Sequence, residues 1–254
     1  MTTTPAQAPV AAAGTPSLAD RHVVVIGGTS GIGLATAHAA AAHGAAITVV
    51  SARESSVSRA LAELPEGARG HTVNVLDQAA LGELFDRIGP FDHLVYTAGE
   101  ALRLLPIDGL ELDAVRDFLQ TRYLGALATV AAAAGHLRAG GSITLTGGSA
   151  GVRPGPGWAV PASLCGAMEA LTRALAVELA PVRVNLVRPG LVRSSLWSDL
   201  DEDARAELYR EGTEQTLVGH VGEVAEIAQA YLYCMTQTYA TGAVIAVDGG
   251  SVLV

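Results

Sequence analysis

Residues 23–33 read VVVIGGTSGIG, a short apolar run followed at once by a cluster of glycines. Four apolar residues in a row are typical of a parallel strand that is covered on both faces. Gly27 allows a tight turn, Gly31 lets the backbone approach a pyrophosphate, and Gly33 lets the next helix pack closely on the strand. A helix that begins near Gly31 offers free N–H groups and a partial positive charge to phosphates. The stretch therefore predicts a dinucleotide-binding turn.

The rest of the chain repeats this alternation of short apolar runs and longer Ala/Leu-rich stretches. The predicted strands are 22–26, 46–50, 71–75, 93–96, 142–146, 183–187 and 243–247, and the predicted helices are 31–43, 55–64, 78–88, 111–138, 161–180, 202–211 and 222–236. The pattern predicts a single-domain α/β fold, a doubly wound parallel sheet of about seven strands with helices on both faces, over residues 19–254. Residues 191–217 are predicted to form a substrate lid. Residues 1–18, rich in Thr, Ala and Pro, are predicted to be a disordered tail.

Composition excludes several classes of function. The net charge of −9 argues against binding to nucleic acid or to an anionic membrane surface, because phosphate groups require a basic footprint. The two cysteines, Cys165 and Cys234, are far apart and lack metal-ligand spacing, so we expect free thiols and no metal site. The start of the chain has neither the basic residues nor the apolar core of a signal peptide. We therefore expect a soluble, cytoplasmic protein that acts on a small-molecule substrate.

The spacing Gly-x-x-x-Gly-x-Gly, together with later segments, resembles the short-chain dehydrogenase/reductase family. The later segments are Asp92–Gly99, Val184–Gly190, Gly190–Ser194 and Thr241–Gly250. The resemblance covers about 20–254 and implies a Rossmann-like fold with a bound nicotinamide dinucleotide. The implied cofactor-binding residues are Gly27, Thr29, Ser30, Gly31, Ile32, Gly33, Ser51, Arg53, Asn74, Val75, Ala98, Gly99, Pro189, Gly190, Val192 and Ser194.

The end of the second predicted strand indicates which dinucleotide is bound. NAD-binding proteins place an acidic residue there to hold the ribose 2′-hydroxyl, whereas this chain has Ser51 followed by Arg53. An Arg beside a hydroxyl suits a 2′-phosphate, so NADP(H) is favoured over NAD(H). The alternative is that Arg53 is an ordinary surface residue. Asn74 is expected at the adenine amino group, or else it is a turn residue at the strand end.

The resemblance fails at the positions that carry the chemistry of the family. Members use a Tyr as proton donor, a Lys that makes this Tyr more acidic, a Ser that bonds the carbonyl and an Asn that holds a water relay. The matching positions here are Pro161, Cys165, Gly148 and Arg122. A positioned general acid contributes about 10²–10⁴ in rate, and neither Pro161 nor Cys165 can replace it. Ile26 and Tyr96-Thr97 also replace residues that tie neighbouring loops together in the family.

Three residues are candidates for the vacated roles. Ser149 can turn into the Ser position, or it is a capping hydroxyl. Arg122 can stabilise an oxyanion or anchor a substrate carboxylate, or it belongs to an interhelical ion pair. Tyr96 can serve as an acid at the nicotinamide side, or it is packed in the core.

Three functions remain open at this stage. The first is an NADP(H)-dependent oxidoreductase with a non-standard proton donor, acting on an activated alkene or an iminium. The second is a non-redox cyclase, isomerase or lyase, and the third is a catalytically silent NADP(H)-binding subunit. Ala-rich faces on the helices at 111–138 and 161–180 predict a homodimer or homotetramer.

Overall fold

The computed structural model describes residues 17–254 and consists of nine strands and eight α-helices in that range. The strands are β1 His22–Ile26, β2 Ala46–Ser51, β3 Arg69–Thr72, β4 Phe91–Tyr96, β5 Leu137–Thr146, β6 Arg183–Pro189, β7 Val192–Arg193, β8 Gly222–Glu223 and β9 Val244–Val247. The α-helices are α1 Gly31–Ala42, α2 Glu54–Glu63, α3 Gln78–Ile88, α4 Leu112–Leu119, α5 Gly125–Ala133, α6 Ala159–Glu178, α7 Glu202–Glu214 and α8 Val224–Thr236.

Seven strands form one parallel sheet in the order β3-β2-β1-β4-β5-β6-β9. The chain runs outward from β1 to β3 and then crosses back to place β4 on the other side of β1. In such sheets a crevice opens beside the carboxyl ends of the two strands where the order reverses, here β1 and β4. The predicted doubly wound fold is confirmed.

The strands are buried because helices cover both faces of the sheet. One core lies between the sheet and α3, α4, α5 and α6, with Phe85, Phe118 and Met168 at its centre. The other lies between the sheet and α1, α2 and α8, where Ala37 and Ala40 allow a close approach of α1. The helix α6 is long and apolar enough to cross a membrane by length and composition alone. Here it packs on the sheet through one buried face.

The structure differs from the predicted elements in three places. The strand predicted at 71–75 is observed at 69–72, and β5 begins at Leu137 rather than at 142. The helix predicted at 111–138 is not continuous. A π-helical turn, Gln120–Leu124, separates α4 from α5, and a 3₁₀ turn, Ala134–His136, ends the run. The spacing of apolar residues predicts a helix in this region, but it does not show that one turn of the helix contains an additional residue.

The segment predicted as a lid contains its own secondary structure. It begins with β7, continues through a 3₁₀ turn, Ser195–Trp197, and includes α7. The short pairing of β7 with β8 fixes its base, and the Arg193 guanidinium lies 4.3 Å from the ring centre of Tyr209. Most of the predicted N-terminal tail lies outside the described residues. Leu18, however, is buried, and its N–H donates to the His43 carbonyl at 2.9 Å.

Candidate active site

The turn after β1 lies directly against the end of β4, and its glycines are required by that contact. A Cβ on Gly27, which has φ +83°, would lie 2.6 Å from the Ala98 nitrogen. A Cβ on Gly33 would overlap the Gly27 carbonyl oxygen and the Thr97 hydroxyl. Only glycine fits at either position without displacing backbone.

Thr97 ties the two loops together. Its N–H donates to the Ile26 carbonyl at 2.8 Å, and its hydroxyl donates to the same oxygen at 3.1 Å. From the sequence, the change from Asn to Thr97 predicts the loss of a hydrogen bond between the loops. The structure corrects this, because the Thr97 hydroxyl supplies a hydrogen bond between the end of β4 and the end of β1.

Open space for a phosphate lies above Gly31. A Cβ there would meet only the Ser195 hydroxyl at 3.6 Å and Ser194 Cβ at 3.7 Å, both at ordinary contact distance. Ser30 precedes the first turn of α1 in an extended conformation and makes no side-chain cap, so the N–H groups of that turn are available. A helix N-terminus with free N–H groups and a serine hydroxyl beside it suits a pyrophosphate. The residues present therefore fit a dinucleotide.

At the far end of the crevice Arg53 is exposed and precedes α2, and Ser51 ends β2 next to it. Within the described part of the chain Arg53 makes no ion pair. Asn74 accepts a hydrogen bond from the Leu76 N–H at 3.1 Å, which is the turn role that the sequence analysis left open. Its contact with adenine stays a prediction. Val75 behind it is buried against the core.

The ends of β4 and β6 form the side of the crevice at which the resemblance predicts the nicotinamide. Ala98 and Gly99 follow β4, and Pro189 ends β6. Gly190 packs on the chain before the C-terminus, since a Cβ there would lie 2.8 Å from Asp248 Cα. Ser194 accepts a hydrogen bond from the Leu196 N–H at 3.4 Å and so caps the turn that follows β7. Thr29, Ile32 and Val192 lie in or beside the same loops and are partly or fully buried.

The positions matched to the Ser, Tyr and Lys of the family lie together. A Cβ on Gly148 would lie 3.2 Å from the Cys165 sulfur, and one on Gly151 would lie 2.9 Å from Cys165 Cβ. Pro161 is buried in the first turn of α6, one turn before Cys165, where a helix tolerates proline. Burial raises the pKa of the Cys165 thiol, against the opposing charge of Arg122. The thiol is therefore neutral at neutral pH and is a poor nucleophile there.

Ser149 begins the 3₁₀ turn Ser149–Gly151 next to these residues. Its carbonyl accepts from the N–H groups of Val152 and Arg153, both at 2.9 Å. Its hydroxyl makes no hydrogen bond to any residue in the range 17–254. The capping role that the sequence analysis considered is thus performed by the backbone, and the hydroxyl is available to a ligand.

Tyr96 is part of the packed core and not an acid at the site. Its side chain is fully buried, and its hydroxyl donates to the Thr121 carbonyl at 2.5 Å. Burial raises the pKa of the phenol well above its ordinary value, and the charge of Glu100 raises it further. The structure therefore does not support the predicted proton donor, because the phenolic proton is already held by the π-helical turn.

A series of two further hydrogen bonds reaches the backbone of Tyr96 from β5 and α8. Thr146 donates its only hydroxyl proton to the Tyr96 carbonyl at 2.6 Å. The Tyr231 hydroxyl lies 2.6 Å from the Thr146 oxygen and so must be the donor there. These bonds join α8, β5 and β4 beneath the site. A sequence analysis could not identify them, because Tyr231 is 85 residues from Thr146.

Arg122 lies in the π-helical turn and reaches back over the end of β4. Its Nε donates to a Glu100 carboxylate oxygen at 3.3 Å, and its Nη2 donates to the Glu100 carbonyl at 3.2 Å. A Cβ on Gly99 would lie 2.5 Å from Nη2, so the guanidinium extends across that glycine. Its charge also acts on the Cys165 thiol. The structure thus places Arg122 in an ion pair and at the site at once.

Glu100 was missed by the sequence analysis. A charged residue directly after Ala98-Gly99 is a usable signal, but its pairing with Arg122 depends on the π-helical turn. A second pair of the same kind lies nearby, where Arg188 Nη1 donates to Glu169 at 3.2 Å. Glu169 is one helical turn after Cys165 on α6 and acts on its thiol. The site therefore contains two Arg–Glu pairs.

Comparison with known proteins agrees with this geometry. The family described as the SDR-like Rossmann domain matches residues 15–254. The chain is 35% identical to the short-chain dehydrogenase/reductase ucsE of Acremonium sp., over 93% of this chain and 97% of that one. The protein belongs to the short-chain dehydrogenase/reductase family.

Two solved structures show how far the likeness extends. A small-chain dehydrogenase in complex with NADPH has 32% identity and a TM-score of 0.78, and the match covers 92% of this chain and 99% of that one. The MalC reductase/Diels-Alderase from Malbranchea aurantiaca has 27% identity and a TM-score of 0.87, over 93% of this chain and 98% of that one. The relatives support an oxidoreductase scaffold that binds a nicotinamide cofactor.

Proposed function

We propose that the protein is an NADP(H)-dependent oxidoreductase that reduces its substrate without a Tyr–Lys pair. The observation that carries the proposal is a turn that fits a dinucleotide beside a site whose matched positions hold no Tyr and no Lys. The turn at Gly27–Gly33 and the open space above Gly31 fit a dinucleotide, whereas Pro161 and Cys165 are the residues that the sequence resemblance matches to the Tyr and Lys of the family. A protein with this arrangement binds the cofactor and lacks the usual proton donor.

The chemistry depends on what the remaining groups can do. NADP(H), when bound, supplies the hydride. A ketone would gain full negative charge on oxygen and require a proton there. An iminium carbon loses its positive charge on accepting a hydride and needs no proton. An activated alkene becomes an enolate, whose negative charge lies on a distant oxygen and whose α-carbon then takes a proton from water. Arg122 can donate N–H groups to such an oxygen, and the Ser149 hydroxyl is a second donor.

The preference for the phosphorylated dinucleotide is assigned to Arg53. The end of β2 carries no carboxylate, and the guanidinium is free of ion pairs within residues 17–254. An Arg–phosphate contact is charge-assisted and contributes more than a neutral hydrogen bond. Ser51 is the matching hydroxyl.

Calorimetric titration with NADPH and NADH tests the cofactor assignment. We expect micromolar affinity for NADPH, weaker binding of NADH, and a loss of about tenfold or more for NADPH in Arg53→Ala, with little change for NADH. Arg59→Ala is the matched control, because Arg59 is an exposed arginine on α2, the helix that Arg53 precedes. An equal loss for both dinucleotides, or an equal loss in the control, contradicts the role of Arg53.

Transfer of deuterium from 4-deuterated NADPH tests the reaction itself. Candidate iminium salts, activated alkenes and ketones are incubated with the enzyme for a single turnover and analysed by mass spectrometry. Label in an iminium or alkene product, and none from ketones, is the expected result. Efficient labelling of a simple ketone would show that a proton donor equal to the usual Tyr exists.

A second candidate is a cyclase on the same scaffold. The likeness to the MalC reductase/Diels-Alderase favours it, because that protein is described with both activities. A cyclase needs a shaped pocket and polarising donors but no general acid. Product that forms at the same rate without NADPH would favour this function over reduction.

A further inference from the structure

The π-helical turn Gln120–Leu124 is held at both ends by the core. The Tyr96 hydroxyl bonds the Thr121 carbonyl, and Gly125 after the turn leaves room for that hydroxyl, because a Cβ there would lie 2.6 Å from it. Single π-helical turns insert one residue and rotate the helix beyond them, and they occur often at functional sites. In this chain the turn delivers Arg122 to the carboxyl end of β4.

Glu100 fixes the guanidinium of Arg122 at two points. Its carboxylate and its carbonyl each accept one N–H, and both side chains are only 20% exposed. The Nη1 group of Arg122 makes no hydrogen bond to the residues between 17 and 254. The free edge of the guanidinium can therefore bind an acceptor, in an orientation that Glu100 determines.

The same contact also sets the charge that a ligand meets. Arg122 alone would attract a carboxylate strongly, because a partly buried guanidinium binds anions by charge-assisted hydrogen bonds. With the Glu100 carboxylate at 3.3 Å the pair carries no net charge, and an anionic ligand gains little from Arg122 while it is repelled by Glu100. A neutral carbonyl oxygen accepts the N–H without this repulsion.

We propose that Glu100 is a specificity-determining residue that makes the Arg122 subsite select a neutral carbonyl or amide oxygen of the substrate over a carboxylate. This deepens the proposed function by naming a substrate group, and it rests on that function for the reaction that occurs beside the pair. It also replaces the substrate carboxylate that the sequence analysis considered for Arg122. The surroundings agree in character, because Leu104 and Val152 are about half exposed in the loops on this side of the sheet.

The test uses benzamide and benzoate, two probes of nearly equal shape that differ in charge. Their dissociation constants are measured by ligand-observed NMR, both without and with NADPH. The wild-type protein is expected to bind benzamide more tightly than benzoate. Glu100→Gln keeps an acceptor for Arg122 but removes the charge, so the ratio of the two constants should shift toward benzoate by about tenfold. Arg122→Met should weaken both probes.

Asp113→Asn is the control, because Asp113 also pairs with an arginine, Arg116, but on the exposed surface of α4 and outside the candidate site. Its ratio should stay within about twofold of wild type. A wild-type preference for benzoate, a ratio unchanged in Glu100→Gln, an equal shift in Asp113→Asn, or no binding of either probe would each overturn the proposal. Because the titration without NADPH stands alone, a protein that binds no dinucleotide would defeat the proposed function and still show whether Glu100 sets the preference.

Discussion

Tyr96 contacts the π-helical turn that contains Arg122, yet only Arg122 is available to a ligand. The Tyr96 hydroxyl is fully buried and its proton is shared with a backbone carbonyl, whereas Arg122 keeps unpaired N–H groups beside the crevice. Sequence spacing predicts that both residues lie near the nicotinamide, and the structure places Tyr96 at the end of β4 and the Arg122 guanidinium over Gly99. The Tyr96 hydroxyl is occupied because it bonds Thr121, which is 25 residues away in the chain, and no local sequence pattern predicts that contact.

A buried histidine gives the protein a predictable dependence of stability on pH. His93 is 4% exposed and bonded to the Ser142 hydroxyl, and burial lowers its pKa from 6.5 to about 4. As the pH falls from 6.5 toward 4, the unfolded chain gains a proton that the folded chain does not. The free energy of unfolding should therefore fall by up to ~1.4 kcal/mol per pH unit through this group.

Denaturant titrations of wild type and His93→Gln between pH 8 and pH 4 check this expectation. The substitution lowers stability at pH 8, and the difference should shrink as the pH falls, because the variant lacks this group. His22 and His71, whose pKa values burial also lowers, retain part of the slope in both proteins. Parallel stability curves over the whole range would show that His93 does not contribute.

At the scale of elements, the alternation of apolar strands and helices was enough to predict the sheet, because both faces of each central strand are buried. The exceptions have physical causes. The strand β5 begins early at Leu137, where the sequence is polar and glycine-rich, and a contact holds it there: Arg138 donates to the buried Asp92 carboxylate at 2.8 Å. Long-range ion pairs of this kind leave no periodic signal in the sequence.

The end of α8 depends on one buried cation. Arg183, on β6, donates to the carbonyls of Cys234 at 2.6 Å and Met235 at 2.9 Å, where the helix has unpaired acceptors and a partial negative charge. Arg183→Met should lower the free energy of unfolding by about 2–3 kcal/mol, and Arg183→Lys should lower it less. Chemical denaturation of the three proteins measures both changes, and a Lys variant as unstable as the Met variant would exclude the contribution of charge.

In the complete fold, an apolar surface is exposed on the helices at 111–138 and 161–180, which are predicted to form the contact between subunits. Two clefts of about 520 and 500 Å³ share Leu76 and Leu124, which are 39% and 50% exposed, and side chains of α3, α4, the π-helical turn and α5 line the remainder. Val177 on α6 is 82% exposed. Apolar patches of this kind mark contacts between proteins. We propose that a second copy of this chain covers them, as closed homo-oligomers do.

Leu124→Glu should convert the assembly to monomers, because a carboxylate buried at the contact would have no partner. Light scattering coupled to gel filtration measures the mass directly. Tyr239→Glu, at a position that is 98% exposed beyond the end of α8, is the control and should leave the mass unchanged. A wild-type protein that is already monomeric at micromolar concentration would contradict the proposed assembly.

The bonds from Tyr231 through Thr146 to Tyr96 have a consequence for motion. The Thr146 hydroxyl belongs to both bonds, so it links Tyr231 on α8 to the end of β4 beneath the crevice. Segments linked in this way open as one cooperative unit, and their backbone amides exchange with solvent at a common slow rate. We therefore expect α8 and the end of β4 beneath the crevice to open together in hydrogen exchange.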